Sequence, residues 1–272
     1  MDLSCNQDLF RIKYSITVMK LHAHIPYPIL TERMDDIVDA SINPEVYFDN
    51  HCVDTVDLGV VADIKRRLDA AGLSVTIHGP YMDLCAGAVD EKVREVTVER
   101  YLKTLEIAEV LRPLRIVLHA GYDEKRFDGD VALWLSQSLK TWQKVVPVAE
   151  RVGTVITVEN VFEEEPAPIR RLVESVNSTG FGVCVDAGHM NLFSKVEMDE
   201  WFHSLGRWIK EVHIHDNHGE YDEHLPVGEG VIDFPRFFTL LEKHTDGVVY
   251  TLEQHSEEAL RRGILSVRPY LG

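Results

Sequence analysis

The sequence predicts a single (β/α)8 TIM barrel over residues 1–272, and three observations carry that expectation. Strand-like and helix-like segments alternate along nearly the whole chain, the form that βα repetition takes in a sequence. Eight strand candidates fit within about the length of one such barrel, with no linker between them. Four apolar runs also end on a residue able to bind metal: RIVLH on His119, TVITVE on Glu159, FGVCVD on Asp186 and VVYTLE on Glu253. Strands buried on both faces read as apolar runs, and in a parallel barrel their C-terminal ends hold functional side chains.

The elements follow in order. Residues 14–19 read as strand one and 46–48 as a short strand two. A helix over 57–71 gathers Leu58, Val61, Ile64 and Leu68 on one side, and Gly72 supplies its C-terminal stop. Strand three covers 74–78. The helix over 90–110 carries Val93, Val96, Tyr101, Leu105 and Ala108, and Pro113 follows its end. Strand four covers 115–119, a helix 131–152 stops at Gly153, and strand five covers 155–159. Pro168 and Gly180 bracket a helix over 169–177. Strands six, seven and eight occupy 181–186, 211–215 and 248–253, with helices over 199–208, 235–244 and 256–267. Strand two is the weakest element, and an open doubly wound sheet is the rival fold. An open sheet concentrates its ligands at one switch point, whereas six strands here deliver them, which favours closure.

Composition narrows the function. Against 28 Lys and Arg stand 45 Asp and Glu, a formal charge of −17. A surface of that sign repels nucleic acid and anionic membrane unless a basic patch intervenes, and the densest basic runs are only Lys65–Arg67 and Arg261–Arg262. No segment reaches the roughly 18 apolar residues of a membrane span. Cys5, Cys52, Cys85 and Cys184 are widely spaced and form no CxxC pair, a pattern that suggests neither a disulfide framework nor a thiolate zinc site and leads us to expect a reduced, cytoplasmic setting.

The candidate site rests on joint pattern. A lone strand-end histidine is usually a capping or hydrogen-bonding residue, but His and carboxylate at successive loop starts share no structural need. Strand periodicity places Val155, Thr157 and Glu159 on one face, Thr251 with Glu253, and His213 with His215. Glu159 and Glu253 close strands five and eight and have no basic strand-end neighbour, so metal is the better partner for both. In DAGH, Asp186 and His189 stand three apart, with Gly188 allowing the turn; helix capping is the competing role for Asp186. In HIHDNHGEYDEHLPVGEG, His213, Asp222 and His224 are candidates, with His215, Asp216 and His218 as rivals. Tyr81, Tyr122 and Phe162 follow strands three, four and five and can either wall a substrate cavity or pack the loops.

The motifs IHGPY, VLHAGY, VEN, DAGH, VHIHD, DEHLPVGEG and TLEQ resemble those of the metal-dependent barrel superfamily that includes xylose isomerase, sugar epimerases and endonuclease IV type apurinic endonucleases, and the resemblance covers nearly the full length, from Ile16 to Glu253. The endonuclease pattern implies three zinc ions: one on His78, His119 and Glu159, a second on Glu159, Asp186, His213 and Glu253, and a third on His189, Asp222 and His224. The epimerase pattern implies a single divalent ion, manganese or a similar metal, on Glu159, Asp186, His213 and Glu253. In it the two glutamates form the acid-base pair and His189 touches a substrate oxygen. An arginine that some epimerases carry after strand seven has no counterpart here, where the stretch reads DEH.

Two activities are therefore expected to compete. The first is isomerisation or epimerisation of a small polyhydroxy carbonyl compound by proton transfer through an enediolate, with Glu159, Glu253 and His189 as catalytic residues. The second is zinc-dependent phosphodiester hydrolysis at abasic DNA sites. Charge ranks the first ahead, since phosphate binding draws on Lys and Arg contacts that this chain does not cluster.

Overall fold

The computed structural model describes residues 21–271. Eight parallel strands close on themselves in sequence order, each paired with the next and β8 returning to β1. The strands are β1 (Leu21–Pro26), β2 (Asn43–Tyr47), β3 (Thr76–His78), β4 (Arg115–His119), β5 (Val155–Glu159), β6 (Phe181–Asp186), β7 (Ile209–Ile214) and β8 (Val249–Leu252). The segment 14–19 expected as strand one lies outside the described residues; the strand that closes the circle is LHAHIP, which the sequence reading passed over.

The helices pack outside. They are α1 (Tyr27–Glu32), α2 (Met34–Asp39), α3 (Asn50–Thr55), α4 (Leu58–Ala70), α5 (Glu91–Leu111), α6 (Val131–Val152), α7 (Ala167–Val176), α8 (Ala187–Phe193), α9 (Met198–Leu205), α10 (Phe234–His244) and α11 (Glu257–Val267). The side chains of Asp57, Asp90, Asp130, Asp233 and Ser256 each accept a first-turn backbone N–H, satisfying donors that a helix start leaves open. α7 ends at Val176, one residue before the expected 177, because Asn177 adopts the left-handed conformation at φ 47° and terminates it. α6 buries Trp134, Trp142, Val145, Val146 and Ala149 on one face, so its length comes from packing as much as from propensity.

The apolar character of the strands has a different origin from the one expected. Alternation turns Ile116, Leu118, Ile156, Val158, Val183, Val185, Val212 and Ile214 outward beneath the helices, where all are buried. The intervening residues face inward, and many are polar. Below the mouth, Glu45, Thr76, Thr157, Glu211 and Thr251 are each fully buried and touch one another. Barrel interiors are usually filled by branched apolar residues, so this polar layer is a departure that requires a cause.

Candidate metal centre

The site forms where β3 to β8 reach the C-terminal mouth. Glu159 ends β5 and is almost wholly buried. Its Oε2 lies 3.3 Å from His78 Nε2 and 3.2 Å from His119 Nε2, while its Oε1 lies 2.9 Å from His213 Nδ1. His213 Nδ1 is also 3.2 Å from Glu253 Oε1 and 3.8 Å from Asp186 Oδ2. Ligand atoms of Glu159, Asp186, His213 and Glu253 all lie within 4.8 Å of one another, and all four residues are buried. Three carboxylates converge there with imidazoles as their neighbours, a donor set that suits a divalent cation.

Asp186 reconciles its two expected roles. Oδ1 accepts the backbone N–H of His189 at 2.6 Å and caps α8, while Oδ2 stays free to face His215 Nε2 at 3.0 Å and His213. Asn160 holds this residue from both sides: its side chain accepts Asp186 N–H at 2.9 Å and donates to Asp186 O at 3.2 Å. Gly188 serves a purpose other than the turn inferred from DAGH. A Cβ there would meet the His215 ring at 1.9 Å, so glycine is required by close approach.

The third expected group also assembles. Asp222 Oδ2 lies 3.3 Å from His189 Nε2 and 3.1 Å from His224 Nε2. His224 sits at φ 51°, an uncommon conformation for a side chain of this size, and its Nδ1 donates to Glu253 O at 2.6 Å. All nine residues singled out from the sequence thus meet at one mouth. Among the rivals, His215 stands inside the cluster and stacks on His224 at 4.0 Å. Asp216 instead accepts the backbone N–H groups of Gly228, Gly230 and Ile232, organising the loop, and His218 pairs with Glu223 at the surface.

Three contributors escaped the sequence reading. His24 of β1 places Nδ1 3.3 Å from Glu253 Oε1 and 3.6 Å from Glu45 Oε1, and these three residues lie close enough to share a cation. Glu45 of β2 reaches His213 Nε2 at 3.3 Å. His255, past the end of β8, stacks on His224 at 3.9 Å. The two histidines of LHAHIP, spaced by two, were the available signal for β1, whereas Glu45 in NPEVY offered none.

Electrostatics are strongly coupled. Burial disfavours charge on Glu159, but His213, His119 and His78 outweigh it and hold its carboxyl well below the usual range. Burial likewise opposes ionisation of Glu253, and His213 and His24 reverse it. His24 is pushed up to about 9: burial opposes its charge, and the Glu253 and Glu45 carboxylates prevail. Against the same burial, acidic neighbours including Cys184, Glu253 and Glu45 hold His213 well above its usual value. His189 and His224 are raised against burial too, chiefly by Asp186 for the first and Asp222 for the second. A divalent cation binding among these groups would compete with the protons that the acidic neighbours favour on the imidazoles.

A cavity of about 730 Å3 opens above these residues. Tyr81 stacks on His119 with ring centroids 4.5 Å apart and forms part of its wall, as does the half-exposed Phe162 against Phe193. Tyr122 borders the cavity, but its ring packs against Phe127 and Trp134, so it chiefly holds the loop. Arg126 is the one Lys or Arg among the residues lining the cavity. Among the described residues, no helix is long and apolar enough to cross a membrane.

Comparison with known proteins agrees with this architecture. The chain is 28% identical over 242 residues to an uncharacterized protein of Methanocaldococcus jannaschii, covering 85% of this chain and 82% of that protein. It is 25% identical over 178 residues to the L-ribulose-5-phosphate 3-epimerase of Escherichia coli, covering 64% and 61% respectively. The crystal structure of a D-tagatose 3-epimerase-like protein superimposes with a TM-score of 0.77 at 26% identity, over 93% of this chain and 97% of that one. Residues 45–270 match the family described as the xylose isomerase-like TIM barrel. With its closed eight-stranded barrel and its His and carboxylate groups gathered at the mouth, the chain belongs to that family.

Proposed function

We propose that this protein is a divalent-metal-dependent isomerase or epimerase of a small polyhydroxy carbonyl compound. The observation that carries the reading is the four-residue group Glu159, Asp186, His213 and Glu253, buried and within mutual ligand distance at the ends of β5 to β8. The likeness to a D-tagatose 3-epimerase-like protein and to L-ribulose-5-phosphate 3-epimerase supports the reaction class. A bound divalent ion supplies Lewis-acid polarisation of the substrate carbonyl and its neighbouring hydroxyl.

The chain's own residues do the rest. Glu159 and Glu253 approach the cluster from strands five and eight, so one takes the proton next to the carbonyl and the other returns it. Imidazole neighbours hold both well below the usual carboxylate range, the state the proton acceptor requires; the partner would first receive the proton it returns from solvent or from a protonated neighbour such as His24. His189, at the cavity wall, is placed to donate to a substrate oxygen as negative charge develops. With Arg126 as the single guanidinium on that wall, a neutral substrate is favoured over a polyanion. The described cysteines are free and buried, which supports a cytoplasmic location.

One observation favours a second reading, zinc-dependent phosphodiester hydrolysis. His78 and His119 meet on Glu159, and His189 and His224 meet on Asp222, so donors for three ions are present. The two readings separate in paired assays: ketoses in deuterated water followed by proton NMR, and an abasic duplex nicking assay with zinc. Exchange of the proton next to a ketose carbonyl, without nicking, is expected. Efficient nicking that Asp222→Asn abolishes, with no exchange on any sugar, would reverse the assignment.

A further inference from the structure

Glu45 is wholly buried on β2, one layer below the mouth, in a strand that supplies none of the proposed ligands. Its Oε2 accepts the hydroxyls of Thr76 and Thr251, each at 3.2 Å, which fixes the carboxylate from β3 and β8. Its Oε1 points the other way, 3.3 Å from His213 Nε2 and 3.6 Å from His24 Nδ1. Glu45 Oε1, His213 Nε2 and His24 Nδ1 are all buried and make no well-formed hydrogen bond. The nearest polar atom of opposite character to His213 Nε2 on this side is Glu45 Oε1, while His24 Nδ1 is shared between Glu45 and Glu253.

The His213 ring therefore spans two environments. Nδ1 faces Glu159, Glu253 and Asp186, while Nε2 faces Glu45. An imidazole that offers Nδ1 to a cation must carry its proton on Nε2, and a carboxylate opposite that N–H selects the tautomer, sets the ring angle and raises ligand basicity. An apolar residue at position 45 would leave the N–H buried without a partner.

We propose that Glu45 is the positioning residue for His213, setting metal affinity from behind the ligand shell; the proposal rests on the metal-dependent reading above. It gives the polar inner layer a cause. Thr76 and Thr251 aim the carboxylate, and the carboxylate aims the ligand. Through His24, which lies 3.3 Å from Glu253 Oε1, the same group also braces the far side of the cluster.

The test compares Glu45→Gln with Glu211→Gln, a carboxylate of the same layer that bonds Thr157 and Thr251 and makes no contact with His213 Nε2. Two quantities are read: the Mn2+ dissociation constant by chelator competition, and the melting temperature of the metal-free protein. Glu45→Gln is expected to weaken Mn2+ binding about 10- to 100-fold. Its metal-free melting temperature should fall, because buried His24 and His213 lose a partner charge, so affinities are compared at a temperature where both proteins are folded. Glu211→Gln should leave Mn2+ affinity unchanged. In the zinc-loaded protein, 15N spectra should show His213 protonated on Nε2 in wild type and a mixed state in Glu45→Gln. Should Glu45→Gln not fold, Glu45→Asp retains the charge at greater distance from His213 and should still weaken binding. Wild-type affinity in either folded variant, or equal weakening by Glu211→Gln, overturns the proposal. A wild-type protein that binds no divalent ion overturns the functional reading along with it, whereas tight wild-type binding indifferent to position 45 overturns this proposal alone.

Discussion

The barrel interior holds two layers of polar residues that differ in what they face. The mouth layer, Glu159, Asp186, His213 and Glu253, reaches a cavity through Glu159 and Glu253 and presents ligand atoms to one another. The layer beneath, Glu45, Thr76, Thr157, Glu211 and Thr251, has no outlet, and its hydroxyls and carboxyls hydrogen-bond one another, Thr251 Oγ1 lying 3.2 Å from both Glu45 Oε2 and Glu211 Oε1. Imidazole neighbours hold Glu159 and Glu253 of the first below the usual carboxylate range, whereas burial and then the neighbouring charge of Glu45 hold Glu211 well above it. Within the lower layer itself partners decide the charge: Glu45, facing His213 and His24, is held well below the usual carboxylate range, and Glu211, facing threonines and Glu45, well above it.

The largest effect that can break this comparison lies in the mouth layer. Glu253→Gln keeps side-chain size but removes a negative ligand and a proton carrier, so turnover on the exchanging ketose should fall at least about 100-fold. Unchanged turnover at full metal occupancy would exclude Glu253 from proton transfer. The proton-exchange rate and the metal content must be read on the same sample.

A second, smaller effect follows from the raised values of His213, His189 and His224 in the metal-free protein. A ligand whose proton is held above its usual pKa releases that proton on binding metal, so affinity rises with pH and falls as pH drops. Each proton released changes affinity about tenfold per pH unit. Calorimetry of Mn2+ binding in buffers of different ionisation enthalpy counts those protons around neutral pH, where at least one should be released. Zero would contradict the electrostatic picture of the mouth.

Packing at the mouth supplies a third test. Gly188→Ala forces a methyl group against the His215 ring and should destabilise the fold by about 1–3 kcal/mol while displacing His215 from Asp186. Thermal unfolding should show this loss; an unchanged melting temperature would mean that the ring moves aside freely. Smallest is Glu211→Gln in the lower layer. A group already neutral is replaced by one of the same shape, and the expected stability change is under about 1 kcal/mol. A severe loss would show that Glu211 carries its charge in the folded protein.

The same two layers explain what the sequence made legible. β4, β5, β6 and β8 alternate outward apolar residues with inward ones, and their last or next residue is His119, Glu159, Asp186 or Glu253, so strand and ligand announce each other. The convergence of all nine singled-out residues was readable because loop starts after parallel strands share one end of the barrel. β1 and β2 were hard to see because their inward residues, His22, His24 and Glu45, are polar in mid-strand and interrupt the apolar pattern. Glu211 was visible in EVHIH yet carried no signal, since its partners Thr157 and Thr251 lie 54 and 40 residues away in sequence. His215 shows the remaining limit: two histidines on one strand face both enter the cluster, and only their distances to Glu159 and Asp186 distinguish them.

Anomalous diffraction at the absorption edge of manganese, on crystals of the manganese-loaded protein, tests the central claim most directly. The account predicts one strong peak among Glu159, Asp186, His213 and Glu253, about 2.0–2.3 Å from His213 Nδ1 and from a carboxylate oxygen of each of the other three. A peak confined to the His189, Asp222 and His224 side, or none within reach of His213, would contradict it.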